Sequence, residues 1–329
     1  MQEKADVVGC VATPCQAGAD LWEETLSASD FEILDERFGR LPCITATIHK
    51  LFDKCDWAEG PAYFPAGRYL VWSDAPNNRM LRFDETNGVV SVFRNPANNS
   101  NGNTVDRQGR LVTCEHGTRR VTRTEHDGSI TVLADTYRGK RLNSPNDVVV
   151  KSDGSIWFTD PTYGIDSDYE GNKAKSEIGA SNVYRIDPHS AEISLVCDDF
   201  VQPNGLAFSP DESLLYVVDT GRTHGAQNPA HMRVFNVEPS GRLSGGRVFA
   251  DCTKGLFDGF RLDTEGRIWT SAADGVHIYD PDGTLIGKIL IPEVVANVCF
   301  GGPMRERLFI CATTALYSVR LFVNGAKTF

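Results

Sequence analysis

Six residues with oxygen-bearing side chains recur along the chain at intervals of 39 to 58 residues. Each opens a similar stretch, in which a short apolar run, a turn and a second apolar run follow. These openers are Glu59, Asn101, Asn146, Asn204, Asp258 and Asn297. Hard cations such as Ca²⁺ take carboxylate and amide oxygens, and two carboxylates nearly balance a divalent charge. On one ring, the six would form a metal site; the alternative is that turn chemistry alone selected them.

The repeated stretches indicate which elements position this ring. Each reads as a β-hairpin, because β-branched and aromatic runs such as 69–72 and 156–158 flank turn sequences such as PAG and SDG. A second hairpin usually follows. Six such units predict an all-β fold, a six-bladed β-propeller with four-stranded antiparallel blades, better than a sandwich or a solenoid. The sixth unit lacks one strand, which we expect residues 44–52 to supply.

A second set of polar residues stands where the second strand of a unit ends. They are Asp74, Glu115 with His116, Asp160 and Asp219. Antiparallel pairing returns these ends to the face where the first strands begin. The acids could therefore add charge to the same mouth, or they could cap backbone N–H groups between blades. His116 could contact substrate or move a proton, or it could be a hydrogen-bonded rim residue.

Composition and charge exclude several classes of function. The 329 residues are 41% hydrophobic and 23% charged, as in globular proteins. A net charge of −11 and the absence of a long apolar run argue against nucleic-acid and membrane partners. Nine scattered cysteines without a CxxC pair predict free thiols rather than disulfides or structural zinc. With no signal-like N-terminal segment, these features predict a cytoplasmic protein; they predict no oligomeric state.

Three segments depart from the repeat. We expect residues 1–40 to be a partly helical N-terminal extension and residues 41–329 to be the propeller. Ser29 and Glu32 make a capping box ahead of FEILDERF, which predicts a short helix. Residues 164–181 and 221–231 are insertions in units three and four, and we expect long loops there, either lids or solvated excursions.

Several motifs carry a family resemblance. AEGP at 58–61, SDAPNNRMLRFD at 73–84 and LNSPNDVVVKSDGSIWFTDPTYG at 142–164 resemble bacterial and fungal gluconolactonases. So do QPNGLAFSPDESLLYVVDT at 202–220 and DGFRLDTEGRIWTSA at 258–272. The wider family is that of gluconolactonase and senescence marker protein (regucalcin), and the likeness covers about residues 40–320. It implies a six-bladed propeller with a divalent metal at the top of the channel.

The resemblance also implies roles for individual residues. The family's metal ligands fall on Glu59, Asn204 and Asp258, and its Asn that acts as ligand or substrate contact falls on Asn146, which we expect to hold the metal too. In the animal branch an Arg stands two residues before the Asn at 146. Here that residue is Ser144, with Lys140 or Arg141 as nearby substitutes. The remaining candidates, which would shape the substrate pocket, are Asn101, His116, Asp147 and Tyr163.

The function implied is hydrolysis of a sugar lactone, similar to gluconolactone, with Asp258 as general base or as a metal ligand only. Ca²⁺ is the favoured ion, and Mg²⁺, Mn²⁺ and Zn²⁺ are alternatives. Polar pocket walls would suit a polyhydroxylated lactone. Motifs of other enzyme classes, such as GxSxG, HExxH and GxGxxG, are absent. Two alternatives stay open: an esterase or organophosphatase at the same metal, and a non-hydrolytic member that binds calcium or a ligand or catalyses condensation or rearrangement.

Overall fold

The structure is a computed structural model that describes residues 25, 26, 30–43 and 45–327. Its sheets form a six-bladed β-propeller with four-stranded antiparallel blades, as the repeat predicts. The first strands of successive blades contact each other all the way round, and that of blade six contacts that of blade one. The first strands therefore surround the central channel; four of the six openers lie on these strands, and Asn146 and Asp258 lie two residues before theirs.

Blades one to three follow the repeat strand by strand. Blade one consists of Ala58–Phe64, Tyr69–Asp74, Arg79–Asp84 and Val90–Arg94. Blade two consists of Ser100–Val105, Leu111–Glu115, Arg120–Thr124 and Ile130–Ala134. Blade three consists of Val148–Val150, Ile156–Asp160, Ser181–Ile186 and Ile193–Phe200. A small hairpin, Thr136–Tyr137 with Lys140–Arg141, lies in the connection between blades two and three.

Blades four to six complete the ring. Blade four consists of Pro203–Phe208, Leu214–Asp219, His231–Val237 and Leu243–Asp251. Blade five consists of Phe260–Leu262, Ile268–Ala272, Gly275–Tyr279 and Leu285–Leu290. Blade six consists of Val295–Gly301, Arg307–Ala312, Leu316–Arg320 and Ile48–Phe52. The last strand comes from the N-terminal side of the chain, with Phe52 opposite Leu316, which confirms the predicted closure; residue 44 of the predicted segment lies outside the described residues.

The predicted helix over FEILDERF is wrong. Phe31–Ile33 is a strand that pairs with the outer edge of blade five, with Phe31 opposite Ile289. A turn and a short 3₁₀ helix, Phe38–Arg40, follow. The open backbone edge of Leu285–Leu290 offers hydrogen bonds that an isolated short helix would have to make alone. Ser29 of the predicted capping box lies outside the described residues, and the division at residue 40 stays a prediction.

Large side chains on the second strands fill the spaces between blades. Trp72, Trp157 and Trp269 are fully buried there, and the Trp269 ring meets Phe300 of the next blade edge to face at 5.7 Å. Replacing a buried Trp with Ala typically costs about 3–5 kcal/mol. The blades are thus held rigidly against one another, which fixes the positions of the residues around the channel.

Two expectations from composition can be compared with the structure. The cysteines within the described residues are free thiols: Cys43, Cys55, Cys114, Cys197, Cys252, Cys299 and Cys311. Cys10 and Cys15 lie outside the described residues. Among the described segments, no helix is both long enough and apolar enough to span a bilayer.

Candidate active site

A cavity of about 460 Å³ opens at one end of the channel, and openers of the repeat form its floor. Five of the six line it: Glu59, Asn101, Asn146, Asn204 and Asp258. Glu59 and the three amides are buried, whereas Asp258 is partly accessible from the cavity. All four predicted metal ligands therefore share one floor, although they come from four different blades.

The sixth opener, Asn297, holds a neighbour instead of lining the cavity. Its Nδ2 donates to Glu59 Oε2 at 3.0 Å, and its Oδ1 accepts a hydrogen bond from the Val298 N–H at 2.8 Å. The Gly60 N–H donates to the same Glu59 oxygen at 2.6 Å. Two donors thus fix the orientation of the Glu59 carboxylate.

Glycines after the openers let adjacent first strands come close. A Cβ on Gly102 would lie 2.4 Å from the Asn146 carbonyl oxygen, and one on Gly205 would lie 2.2 Å from that of Asp258. The Gly102 N–H donates to this Asn146 carbonyl at 2.8 Å. Any side chain would force the strands apart. The opener–glycine pattern therefore sets the narrow radius of the ring.

Electrostatics distinguish the two acids of the floor. Burial raises the pKa of Glu59 to about 7, against the hydrogen bonds from Asn297 and Gly60. Burial, and then the nearby charge of Glu59, raise the pKa of Asp258 well above its usual value, although the Asn204 side chain hydrogen-bonds to it. Two carboxylates this close in a poorly solvated site repel each other unless a cation or a proton joins them.

The floor has the donor chemistry of a hard-cation site. Two carboxylates and two amides offer only oxygen, and the like charges of Glu59 and Asp258 would be offset by a divalent ion. Within the described residues, no group of three or more His, Cys, Asp or Glu side chains is arranged to hold a metal. The predicted ligand set differs from such a group, because two of its four members are asparagine side chains.

His116 and Asp147 lie behind the floor rather than on it. His116 is fully buried; its Nε2 lies 3.1 Å from Asn101 Nδ2 and its Nδ1 lies 3.2 Å from the Glu170 carbonyl oxygen. Burial lowers the pKa of His116 to about 4, so the ring is neutral near pH 7. Asp147 Oδ1 accepts a hydrogen bond from the Val148 N–H, and its Oδ2 lies 3.6 Å from Arg261 Nη1. These two residues support the floor.

The two insertions meet at one side of the cavity. Tyr163 begins a short helix, Tyr163–Asp166, and its hydroxyl contacts the hydroxyls of Thr220 and Thr223. Asp166 Oδ2 lies 2.8 Å from His224 Nε2, in the 3₁₀ helix Gly221–His224. The insertions therefore wall the cavity, as lids would. Tyr163 lines the cavity, and its contact with substrate stays a prediction.

Comparisons with known proteins identify the family of the chain. Residues 57–314 match the model of the SMP-30/Gluconolactonase/LRE-like region. The chain belongs to this gluconolactonase family. Gluconolactonase from Zymomonas mobilis subsp. mobilis is 30% identical over 306 residues, covering 86% of this chain and 83% of that protein. The structure of a gluconolactonase from Xanthomonas campestris superimposes with a TM-score of 0.83 at 40% identity, covering 88% of this chain and 94% of that one.

The fold is shared with a protein of lower sequence similarity. The structure of regucalcin from Agrobacterium tumefaciens, described as a calcium-binding protein, superimposes with a TM-score of 0.69 at 20% identity. It covers 85% of this chain and 95% of its own. At this identity the likeness shows the fold alone. The similarity to the gluconolactonases shows that this chain is a lactone-hydrolysing hydrolase.

Sequence reasoning missed most of the cavity wall. Apolar residues from three connections, the first residue of blade six and one aromatic residue of the first insertion line it: Trp57, Leu256, Phe257, Val294, Val295 and Tyr169. Glu170 joins them, and burial raises its pKa to about 7. Above the floor this part of the wall is therefore apolar, whereas the hydroxyl groups of Tyr163, Thr220 and Thr223 line another part of the cavity. Lys140 and Arg141 are exposed in the small hairpin and do not line the cavity.

Proposed function

We propose that this gluconolactonase-family protein is a metal-dependent lactonase that converts a sugar lactone, similar to gluconolactone, to its hydroxy acid. One observation carries the proposal: two like-charged carboxylates, Glu59 and Asp258, share the floor of an open cavity with amide oxygens. The names of the gluconolactonase relatives support the same substrate class. Free thiols at the described cysteines agree with a cytoplasmic location, which we propose as well.

The metal would be held by Glu59, Asn146, Asn204 and Asp258. Ca²⁺ suits this all-oxygen set best, with Mg²⁺, Mn²⁺ and Zn²⁺ as alternatives. When bound, such an ion supplies Lewis acidity and lowers the pKa of a coordinated water. The rigid blades and the hydrogen bonds to Glu59 keep the donors in place before any substrate arrives.

Asp258 is the carboxylate best placed to handle protons, because it alone among the four is partly accessible from the cavity. As general base it takes a proton from the attacking water while the new C–O bond forms at the lactone carbonyl. The ring C–O bond then breaks, and the same proton passes to the leaving alkoxide. The product is the open hydroxy acid, so water is added and no other reactant is needed.

Asn101, which His116 holds in place, positions the substrate. Because Asn101 Nδ2 faces His116 Nε2, the Asn101 Oδ1 is left as a buried acceptor without a partner. That oxygen suits a hydroxyl group of the lactone. His116 holds the amide in this orientation and stays neutral, and Asp147 accepts a hydrogen bond from the Val148 N–H, at the start of the strand that follows Asn146.

The test uses the intact protein after treatment with a chelator. We expect base consumption on D-glucono-δ-lactone, followed at constant pH, to return when Ca²⁺ or another divalent ion is restored. A metal that binds only the folded state stabilises it by about 2.7 kcal/mol at a hundred times its dissociation constant, so the unfolding midpoint should rise with metal. Glu59→Gln should weaken both responses. Failure of every divalent ion to give lactone hydrolysis would refute the proposal.

A further inference from the structure

The wall of the cavity differs in chemistry from its floor. Phe257 and Val295 lie at its base and are buried, whereas Val294 and Tyr169 stand at the mouth with 44% and 58% of their surface exposed. Trp57 and Leu256 lie between these two levels and are half-buried. Large apolar side chains from separate segments thus form one continuous surface that water must cover when the cavity is empty. Such surfaces mark ligand sites.

The polar groups on the opposite wall are occupied with one another. The Tyr163 hydroxyl contacts the hydroxyls of Thr220 and Thr223, and the Thr223 hydroxyl donates to the Thr220 carbonyl at 2.9 Å. Thr220 also accepts from Asn204 Nδ2 at 3.3 Å. A ligand that carried many hydroxyls above the floor would have to break these bonds to gain its own. An apolar substituent has no such cost.

The charge around the cavity has one sign. Its charged lining residues are Glu59, Glu170 and Asp258, and no Lys, Arg or His of the described chain lines it. Arg261 lies beneath the floor, 3.6 Å from Asp147. With a divalent ion on Glu59 and Asp258, the acid left along the wall is Glu170, and a phosphate, sulfonate or carboxylate placed there would meet its charge and find no basic side chain to pair with. The ligand that fits the wall is uncharged.

We infer that the site takes, besides a sugar lactone, uncharged lactones that carry an alkyl or aryl substituent, and that this substituent packs against the wall formed by Trp57, Tyr169, Leu256, Phe257, Val294 and Val295. The inference rests on the proposed lactonase function. The lactone ring lies over the polar floor, and the substituent extends along the apolar side. Hydrolysis follows the same course, with water added across the ring ester bond.

The first experiment compares lactones that share a ring and differ in one substituent. The chelator-treated, Ca²⁺-restored protein is given δ-valerolactone, δ-decalactone, D-glucono-δ-lactone and the 6-phosphorylated form of the last. Each methylene that leaves water is worth roughly a fourfold gain. We expect kcat/KM for δ-decalactone to exceed that for δ-valerolactone by about tenfold or more, and phosphorylation to lower kcat/KM by a similar factor.

A matched pair of variants places the effect on the wall. Val294→Ser removes apolar surface at the mouth, whereas Val248→Ser changes a Val of similar exposure, 47%, on the outer strand of blade four. We expect Val294→Ser to lower the ratio of kcat/KM between δ-decalactone and δ-valerolactone about fivefold. Val248→Ser should leave that ratio unchanged. Equal ratios in both variants would overturn the inference.

Binding without turnover gives an independent readout. The lactam analogues of the two δ-lactones resist hydrolysis, and Trp57 lies in the wall where its fluorescence can report them. We expect the pentyl lactam to bind at least tenfold more tightly than the unsubstituted lactam, with the signal lost in Trp57→Phe. If lactones are hydrolysed without preference for the alkyl substituent, the inference fails and the lactonase proposal stands. If no lactone is hydrolysed but the pentyl lactam binds preferentially, the lactonase proposal fails, and with it the proposed hydrolysis of alkyl lactones.

Discussion

Two sets of acids lie at the same face of the propeller, and they differ in what they bind. The inner acids, Glu59 and Asp258, share the cavity floor; burial raises the pKa of both, and the charge of Glu59 raises that of Asp258 further. The outer acids, at the ends of second strands, hold backbone N–H groups. Asp219 accepts from Val201 and Gln202 at 3.0 and 2.9 Å.

Two of the other outer acids repeat this arrangement. Asp74 accepts from the Asp56 N–H at 2.9 Å, and Asp160 accepts from the N–H groups of Asn143 and Ser144 at 2.9 Å each. Glu115 instead meets side chains, including Arg120 Nε at 2.7 Å. The outer acids thus join the blade connections to the strands. One face of the fold therefore separates acids available for chemistry from acids used for structure.

The variant Asp258→Asn gives the strongest test of the difference between the inner and the outer acids. If Asp258 moves the proton, its loss should lower kcat on a lactone by about a thousandfold. The free energy of unfolding of the metal-free protein should stay the same or rise, because the substitution removes the repulsion between the carboxylates of Asp258 and Glu59. Lactone hydrolysis and the urea midpoint measure the two effects. Hydrolysis at the wild-type rate would make Asp258 a ligand only, or remove it from the mechanism.

The variant Asp74→Asn should lower stability and leave activity nearly unchanged. Asp74 is fully buried and pairs with Arg79 at 2.9 Å while it accepts the Asp56 N–H, so the change should cost about 3 kcal/mol in the free energy of unfolding. The activity of the folded fraction should stay within about twofold, since Asp74 does not line the cavity. A stable Asp74→Asn protein without activity would contradict the separation of the two sets.

The repeat in the sequence is enough to predict the ring of openers at the cavity floor, but it does not predict the apolar wall of the cavity. The openers are readable because each recurs with the hairpin that positions it, and the following glycine, as at Gly102, is demanded by the next strand. The outer acids were placed correctly, but their role depended on which N–H groups the connections present. Neither spacing nor residue type shows that.

The wall had no periodic signal. Tyr169 lies in an insertion outside the repeat, and Val294 lies in a connection between blades five and six, so neither recurs elsewhere in the chain. Phe31 shows the opposite error, because a local capping signal predicted a helix where the free edge of blade five accepts a strand. Long-range contacts decide such segments, and a single sequence does not display them.

Asp160 gives the smallest and most discriminating test, because it has the contacts of an outer acid and the electrostatics of an inner one. Burial raises its pKa to about 7 despite its two backbone donors. The folded state then keeps a proton that the unfolded state loses near pH 4. This contribution to stability is present below about pH 4 and is lost as the pH rises towards 7, by up to about 1.4 kcal/mol per pH unit.

In Asp160→Asn the part of the pH dependence of the free energy of unfolding that comes from Asp160 should vanish, whatever the change in overall stability. Urea unfolding of the metal-free protein between pH 4.5 and 7.5 measures it, with Asp74→Asn as the matched outer variant. If the free energy of unfolding changes with pH in the same way in wild type and Asp160→Asn, the two N–H groups hold the carboxylate ionised. The outer acids would then be uniform, and hydrogen bonding rather than burial would be what separates them from Glu59 and Asp258.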